Sequence, residues 1–82
     1  MVKHKCPCCG YYTLFSEPGS YETCNVCFWE DDPAQAVNPD LYPGSNGVSL
    51  KEARKNFKIY GAITEYCKKF VRPPKPEDEF PS

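Results

Sequence analysis

The sequence lacks a long apolar segment. No run of about 18 apolar residues, the length expected of a transmembrane helix, occurs among its 82 residues. The basic residues near the N-terminus are not followed by an apolar stretch, so no secretory signal peptide is predicted. We therefore expect a cytoplasmic protein that does not associate with a membrane.

Recognisable catalytic motifs are also missing. There is no glycine-rich phosphate loop and no nucleophile elbow. The single histidine, His4, has no acidic partner placed by a motif, although a nucleophilic cysteine would need a base within reach. Asp31 and Asp32 are adjacent, so on a strand their carboxylates would point to opposite faces. These absences predict that the protein is not an enzyme.

The short chain leaves little room for a hydrophobic core. Residues 33–48 contain three prolines and two glycines without hydrophobic periodicity, which predicts a long loop. Residues 73–82 contain four prolines and three acidic side chains, a composition that predicts a flexible acidic tail. The prediction is a single domain over residues 1–72, with the loop inside it and the tail outside it. A domain this small buries too little surface to be more than marginally stable without help.

Cysteine, by contrast, is abundant, with six in the chain. Cys6 and Cys9 are separated by two residues, and Cys24 and Cys27 repeat that spacing after a gap of 14 residues. Two such CxxC turns can place four thiolates around one tetrahedral metal ion. In a reducing compartment these pairs are more typical of metal ligands than of disulfides. We predict one zinc ion bound by these four cysteines, with iron as the alternative metal.

The other thiols and the histidine are weaker candidates. Cys8 lies inside the first CxxC pair and is an alternative ligand, a reactive thiol activated by the nearby metal or, as we favour, a neighbour without a ligand role. His4 is a second alternative ligand, although it lies outside the CxxC turn. Cys67 falls within a predicted helix and is expected to be a small buried side chain.

The remaining pattern predicts a small α+β metal-bound domain. Two β-prone runs flank EPGS at residues 17–20, where Pro then Gly suits a type II turn, so a hairpin is predicted between the cysteine pairs. A third run at 28–30 would complete a zinc-ribbon or rubredoxin-like unit. Ser49 begins a predicted C-terminal helix that continues to Phe70, with a kink or break near Gly61.

Charge is distributed unevenly along the chain. Residues 1–48 have a net charge of −4, residues 49–72 of +5 and residues 73–82 of −2. A solvated helix face is the simplest interpretation of the basic segment. If the segment binds a partner, this balance favours an acidic protein surface, because nucleic-acid binders usually carry excess positive charge across the domain. The predicted partner-binding surface comprises Trp29, Asp31, Asp32, Arg54, Lys55 and Lys58. Nucleic-acid binding by the basic helix face is the alternative, and no oligomeric state is predicted.

Several blocks together resemble the bacterial cysteine-rich CPCC family. They are CPCCGYYTL, YETCNVCFWEDD and NGVSLKEARKNFKIYGA, followed by VRPP and an acidic pair, and they span Cys6 to Glu79. The resemblance implies a small bacterial zinc-binding protein with no activity assigned to any residue. CPCCGY is also similar to a rubredoxin turn, which keeps iron-based electron transfer as an alternative, although the gap between the pairs is short for that family. We expect a zinc-stabilised binding or regulatory module.

Overall fold

The structure, a computed structural model, describes residues 2–82. Two short strands, β1 (His4–Lys5) and β2 (Tyr12–Leu14), form an antiparallel pair on either side of the first CxxC turn. His4 lies opposite Leu14 and Lys5 opposite Tyr12, with an irregularity between the two pairs. The predicted α+β class is therefore confirmed, with the strands placed around the cysteines.

Two α-helices and three 3₁₀ turns make up the rest of the regular structure in the described part of the chain. Helix α1 spans Pro33–Val37, and helix α2 spans Leu50–Tyr60. The 3₁₀ turns are Gly44–Asn46, Tyr66–Phe70 and Pro76–Glu79. No helix within residues 2–82 has the length and apolar character that a membrane crossing requires.

The strand pairing between the cysteine pairs differs from the sequence prediction. Strand β2 pairs with β1, and the segment 21–23 pairs with residues 30 and 31 instead of with β2. The Tyr21 N–H donates to the Asp31 carbonyl at 3.1 Å, and Thr23 forms a bridge with Glu30. Each CxxC turn reverses the chain, so each brings its own flanking residues into register. EPGS consequently connects two hairpins and does not close one.

Helix α2 begins where its sequence predicts and ends earlier. The Ser49 Oγ accepts a hydrogen bond from the Glu52 N–H at 3.0 Å, which caps the N-terminus. Gly61 has a φ of 77°, and its N–H donates to the Phe57 carbonyl at 2.8 Å, which closes the C-terminus. The predicted break near Gly61 is confirmed. The chain resumes only as a 3₁₀ turn, so the extension of one helix to Phe70 is wrong.

Residues 33–48, predicted to be a long loop, begin with helix α1 and contain a 3₁₀ turn, and a buried amide network holds the segment together. Gln35 is fully buried, and its side-chain amide nitrogen lies within hydrogen-bond distance of three loop carbonyls, including that of Val48 at 2.8 Å. The Asn46 amide donates to the Gln35 Oε1 at 2.8 Å. A Cβ atom on Gly44, whose φ is 54°, would overlap the Gln35 Cδ. The loop is therefore ordered by side-chain amides, because it has few apolar residues to bury.

Residues 73–82, predicted to be a flexible tail, are mostly exposed but are tied to the domain at Asp78 and Pro81. The Arg72 guanidinium donates to both carboxylate oxygens of Asp78, at 2.8 and 3.2 Å. Asp78 is only 3% exposed. At the other end of the chain, the Lys3 N–H donates to the Pro81 carbonyl. The acidic composition suggested a solvated segment, but one carboxylate is paired and buried instead.

The core lies between the cysteine turns and the inner face of α2. Leu50 and Ala53 are its fully buried members on α2, and Trp29 is the largest fully buried side chain. Ala62 and Ile63, which follow the helix, complete this side of the core. Cys67 is buried at the edge of the same cluster, as the sequence predicts.

Candidate metal centre

The first cysteine turn, residues 6–10, is closed by two backbone hydrogen bonds. The Gly10 N–H donates to the Cys6 carbonyl at 2.9 Å, and the Cys6 N–H donates to the Tyr11 carbonyl at 2.8 Å. Gly10 has a φ of 80°, a value that glycine adopts without a steric cost. This tight turn directs the Cys6 and Cys9 side chains to the same side of the chain.

The second cysteine turn, residues 24–28, repeats this backbone pattern. The Phe28 N–H donates to the Cys24 carbonyl, and the Cys24 N–H donates to the Trp29 carbonyl, both at 2.8 Å. Phe28 occupies the position equivalent to Gly10 and has a φ of 74°, which is unusual for a bulky residue. The two turns thus present two pairs of thiols to each other with the same local geometry.

The four predicted cysteines come together in one cluster. All four Sγ atoms lie within 4.8 Å of one another, with Cys6 Sγ 3.6 Å from Cys27 Sγ and Cys9 Sγ 3.8 Å from Cys24 Sγ. A tetrahedral ion with metal–sulfur bonds of about 2.3 Å places its ligand sulfurs about 3.8 Å apart. The two measured separations match that spacing, so the cluster fits a metal ion held by four thiolates.

Hydrogen bonds at the sulfur atoms single out Cys24. Its Sγ lies 2.9 Å from the Thr13 Oγ1, and the Val26 N–H donates to it at 3.4 Å. Hydrogen bonds from the Cys27 and Cys6 thiols, followed by weaker contributions that include Thr13, lower the pKa of Cys24. In return, the interaction with Cys24 raises the pKa of Cys6 and of Cys27. Four neighbouring thiols cannot all ionise without a cation, which is the electrostatic reason that such a cluster binds one.

Packing closes the site on most sides. The sulfur-bearing residues Cys6, Cys24 and Cys27 are fully buried, and Cys9 is partly exposed. Behind the second turn, the Ile63 N–H donates to the Cys27 carbonyl at 2.9 Å. With four sulfurs facing one another and three of their residues buried, the arrangement provides four ligands for one metal ion.

Cys8 and His4, the weaker ligand candidates, do not belong to this cluster. The metal-sized group contains Cys6, Cys9, Cys24 and Cys27. The His4 Nε2 instead lies 3.4 Å from the Glu17 Oε2. Cys8 is buried and, like the other cysteines, forms no disulfide. The structure therefore brings together the predicted main ligand set without Cys8 or His4.

The prediction of a partner-binding surface is wrong for three residues. Trp29 is fully buried in the core. Asp31 is buried, and its carboxylate accepts a hydrogen bond from the Gly19 N–H at 2.8 Å. Asp32 is also buried, where it caps α1 and accepts from Ser45. The Asp31 carboxylate therefore holds the segment around Gly19, the Asp32 carboxylate holds the segment around Ser45, and neither faces solvent.

The environment of Asp32 shows why its charge is tolerated. Burial by itself would raise the pKa of this carboxyl, but hydrogen bonds from the Ser45 N–H and hydroxyl, and from the N–H groups of Ala34 and Gln35, hold the pKa below its ordinary value. Arg54, Lys55 and Lys58, the other predicted surface residues, are exposed on α2.

Thr13 is a site residue that sequence reasoning missed. It is buried, and its hydroxyl contacts the Cys24 sulfur from strand β2. Because this contact joins residues of two different hairpins, no short sequence motif identifies Thr13 as a site residue. Only knowing that β2 lies beside the second turn would have identified it.

Together, the fold and the site define a small α+β protein with a four-cysteine site suited to a metal ion. The chain belongs to the cysteine-rich CPCC family, whose model matches residues 4–78. A search among curated proteins gave no match. Membership of the family agrees with the resemblance seen in the sequence blocks.

Proposed function

We propose that the protein is a zinc-stabilised binding or regulatory module, without catalytic activity, that acts through its surface. The observation that supports this most directly is the four-sulfur cluster with separations of 3.6 and 3.8 Å. When bound, the metal would cross-link the two cysteine turns. Because all four ligands are thiolates, the site has the composition of a structural zinc site.

The small core makes such a cross-link important for folding. Structural zinc can contribute about 10 to 16 kcal/mol of apparent binding free energy near neutral pH, which is comparable with the whole stability of an ordinary domain. Two of the ligands come from each hairpin, so one ion would join them. The same site requires reduced thiols, which supports the expectation of a cytoplasmic protein.

Iron-based electron transfer is the second candidate function. Two observations favour it: Cys9 is partly exposed, and the Cys24 sulfur accepts a hydrogen bond from the Val26 N–H and lies 2.9 Å from the Thr13 hydroxyl. An exposed ligand gives a route for an electron, and hydrogen bonds to thiolate sulfur tune the reduction potential of iron–sulfur sites. The same four sulfurs suit either metal, so the metal itself decides between the two functions.

Metal analysis of the protein, purified under reducing conditions without chelators, tests the proposal. We expect one zinc per chain and no visible absorption. Cys67→Ser is the matched control, because Cys67 is buried but lies outside the cluster, and this variant should retain the zinc. One iron per chain with a red colour would favour electron transfer. No bound metal in protein that is folded would contradict both functions.

A further inference from the structure

Helix α2 carries a stripe of positive charge on its outer face. Lys51, Arg54, Lys55 and Lys58 are spaced by three and four residues, so their side chains neighbour one another on one side of the helix. All four are exposed. The buried residues Leu50 and Ala53 lie on the other side, against the core. We call these four residues the basic stripe.

No ion pair neutralises the basic stripe within the described residues 2–82. The ion pairs found there join His4 to Glu17 and Arg72 to Asp78. Like charges spaced by three or four residues on a helix repel one another and destabilise it. The stripe therefore raises the energy of the isolated protein, and a negatively charged partner would remove that repulsion.

The stripe borders a concave surface. A cavity of about 480 Å³ is lined by the four stripe residues together with Pro39 and Asp40. The Lys51 N–H donates to the Pro39 carbonyl at 3.0 Å, which fixes the loop against the start of α2 and gives the groove a firm wall. The four positive charges of the stripe therefore line one recess in the surface.

Arg54 extends the basic surface to the first cysteine turn. A second cavity, of about 380 Å³, is lined by Arg54, Lys5 and residues 6–10. The Arg54 Nε donates to the Pro7 carbonyl at 2.9 Å, so the guanidinium is held between the two cavities. The surface of positive charge therefore continues from α2 to the edge of the candidate metal site.

An exposed apolar side chain favours a protein partner over a nucleic acid. Ile59 is 63% exposed, and it follows Lys58 and lies one helical turn after Lys55. A phosphate backbone offers nothing for an isoleucine to contact, whereas an acidic protein segment can place an apolar side chain there. Docking surfaces on proteins commonly combine an apolar contact with a charged rim.

From these observations, we propose that the basic stripe and Ile59 form a docking surface for an acidic protein segment that carries an apolar side chain. The proposal rests on the proposed function, in which the protein acts through its surface. Charge complementarity would guide association, and Ile59 would add an apolar contact beside Lys55 and Lys58 on the helix surface.

The test uses two synthetic probes and the full chain. One peptide contains only glutamates as charged residues around a central leucine, and the second replaces that leucine with serine. We expect amide chemical shifts to change at residues 51–59 when the leucine peptide is added. We also expect Ile59→Ser to weaken binding of the leucine peptide severalfold and to leave the serine peptide unaffected.

Two double variants that reverse lysine charges test whether the basic stripe binds the peptide. The double variant Lys55→Glu and Lys58→Glu should bind the leucine peptide at least about tenfold more weakly, since each reversed charge repels the probe. The matched control reverses Lys68 and Lys69, two exposed lysines beyond α2, and should bind like the unaltered protein. Equal weakening by the control would show unspecific attraction and would overturn the proposal.

Three further outcomes would also overturn the docking proposal: absence of shifts in the unaltered protein, shifts located away from α2, or tighter binding of an oligothymidylate than of the peptide. The shift map uses the unaltered chain, so it decides the question even if a variant does not fold. Zinc measured in the same samples separates the two proposals. Zinc without peptide binding would contradict the docking surface alone, and peptide binding without zinc would contradict the metal assignment alone.

Discussion

The two cysteine turns share one backbone shape but reach it by different means. Gly10 in the first turn has a φ of 80°, and Phe28 at the equivalent place in the second has a φ of 74°. Glycine adopts this left-handed conformation freely, whereas it costs a residue with a Cβ about 1–2 kcal/mol. The first turn is therefore favoured locally, and the second must be held by contacts elsewhere.

Those contacts come from the chain after α2. The Phe28 ring stacks on Phe70 with the ring centroids 5.1 Å apart. The Ile63 N–H donates to the Cys27 carbonyl, and the Arg72 N–H donates to the Asn25 carbonyl at 3.1 Å. At the first turn, the comparable contact is the hydrogen bond from the Arg54 side chain. The difference shows that a CxxC turn with an unfavourable residue can form when distant segments pack over it.

The largest effect is expected from removing a ligand of the second turn. Cys24→Ser should abolish stoichiometric metal binding and unfold the domain, because Cys24 is fully buried and its sulfur also joins Thr13 and Val26 to the site. Cys9→Ser removes a partly exposed ligand and should leave more residual metal binding. Metal content and circular dichroism measure both effects.

Cys8→Ser is the control for this comparison. Cys8 is adjacent to Cys9 but is not in the four-sulfur cluster, so the variant should retain one metal per chain. If Cys8→Ser lost the metal and Cys9→Ser kept it, the first turn would use Cys8 in place of Cys9 as a ligand.

The next largest effect is expected at Phe28, where a variant tests whether the contact with Phe70 stabilises the second cysteine turn. Phe28→Ala should lower the free energy of unfolding by about 2 kcal/mol, because it removes the ring stacked on Phe70 and retains the unfavourable φ. Phe28→Gly loses the same ring but relieves the backbone, so it should be about 1 kcal/mol more stable than the alanine variant. Chemical denaturation of the metal-loaded proteins measures the difference. An alanine variant more stable than the glycine variant would contradict a strained second turn.

A smaller effect is expected at the ion pair beyond α2. Asp78→Asn should cost about 1–2 kcal/mol, since Asp78 is buried but Arg72 is about one-third exposed and partly screened by solvent. The loss should loosen the second turn, because the Arg72 N–H is bonded to Asn25. Hydrogen exchange should increase at residues 24–28 and stay unchanged at residues 6–10. Equal loosening of both turns would contradict this link.

The same pair predicts a pH dependence. The hydrogen bonds from Arg72 lower the pKa of Asp78 below its ordinary value of 3.8. A depressed carboxyl pKa means that the stabilisation is fully present above the unfolded pKa and is lost as the pH falls through the folded one. The stability difference between the unaltered protein and Asp78→Asn should thus be constant near neutral pH and shrink below about pH 4. Comparing the two proteins removes the contribution of acid-induced metal release, which both share.

The smallest effect is expected at the first turn. Gly10→Ala should lower stability by about 1 kcal/mol through the backbone alone, because a Cβ at this position meets no atom within 4 Å. Thermal unfolding at a fixed zinc concentration measures it. A loss as large as that of Phe28→Ala would show that the two turns depend on tertiary contacts to a similar degree.

Local patterns in the sequence predicted the features that a few adjacent residues determine. The CxxC spacing identified the four clustered cysteines, the SLKE segment identified the start of α2, and Gly61 indicated a break, although the helix was predicted to continue beyond it to Phe70. The two ends of α2 depend on hydrogen bonds within one turn of the chain, and the cluster is marked by a short spacing that occurs twice in the sequence. They could be predicted because no distant residue has to be known.

The features that were missed depend on contacts between residues 6 to 13 positions apart, in separate segments that no local motif relates. Asp31 and Asp32 looked like a solvated acidic surface, but their partners Gly19 and Ser45 lie in other segments. Asp78 looked like part of a disordered tail, because nothing in its neighbourhood shows that Arg72 would bury it. Pairing of charges and amides across the fold has no fixed spacing, so composition alone misassigned these residues to solvent.

The close approach of Gly44 to Gln35 constrains how this sequence can diverge. Any side chain at position 44 would occupy the space of the buried amide, and a shorter residue at position 35 would leave loop carbonyls without a donor. Changes at the two positions are therefore tolerated together more readily than singly. Among related chains, positions 35 and 44 should covary, so that glycine at 44 accompanies glutamine at 35.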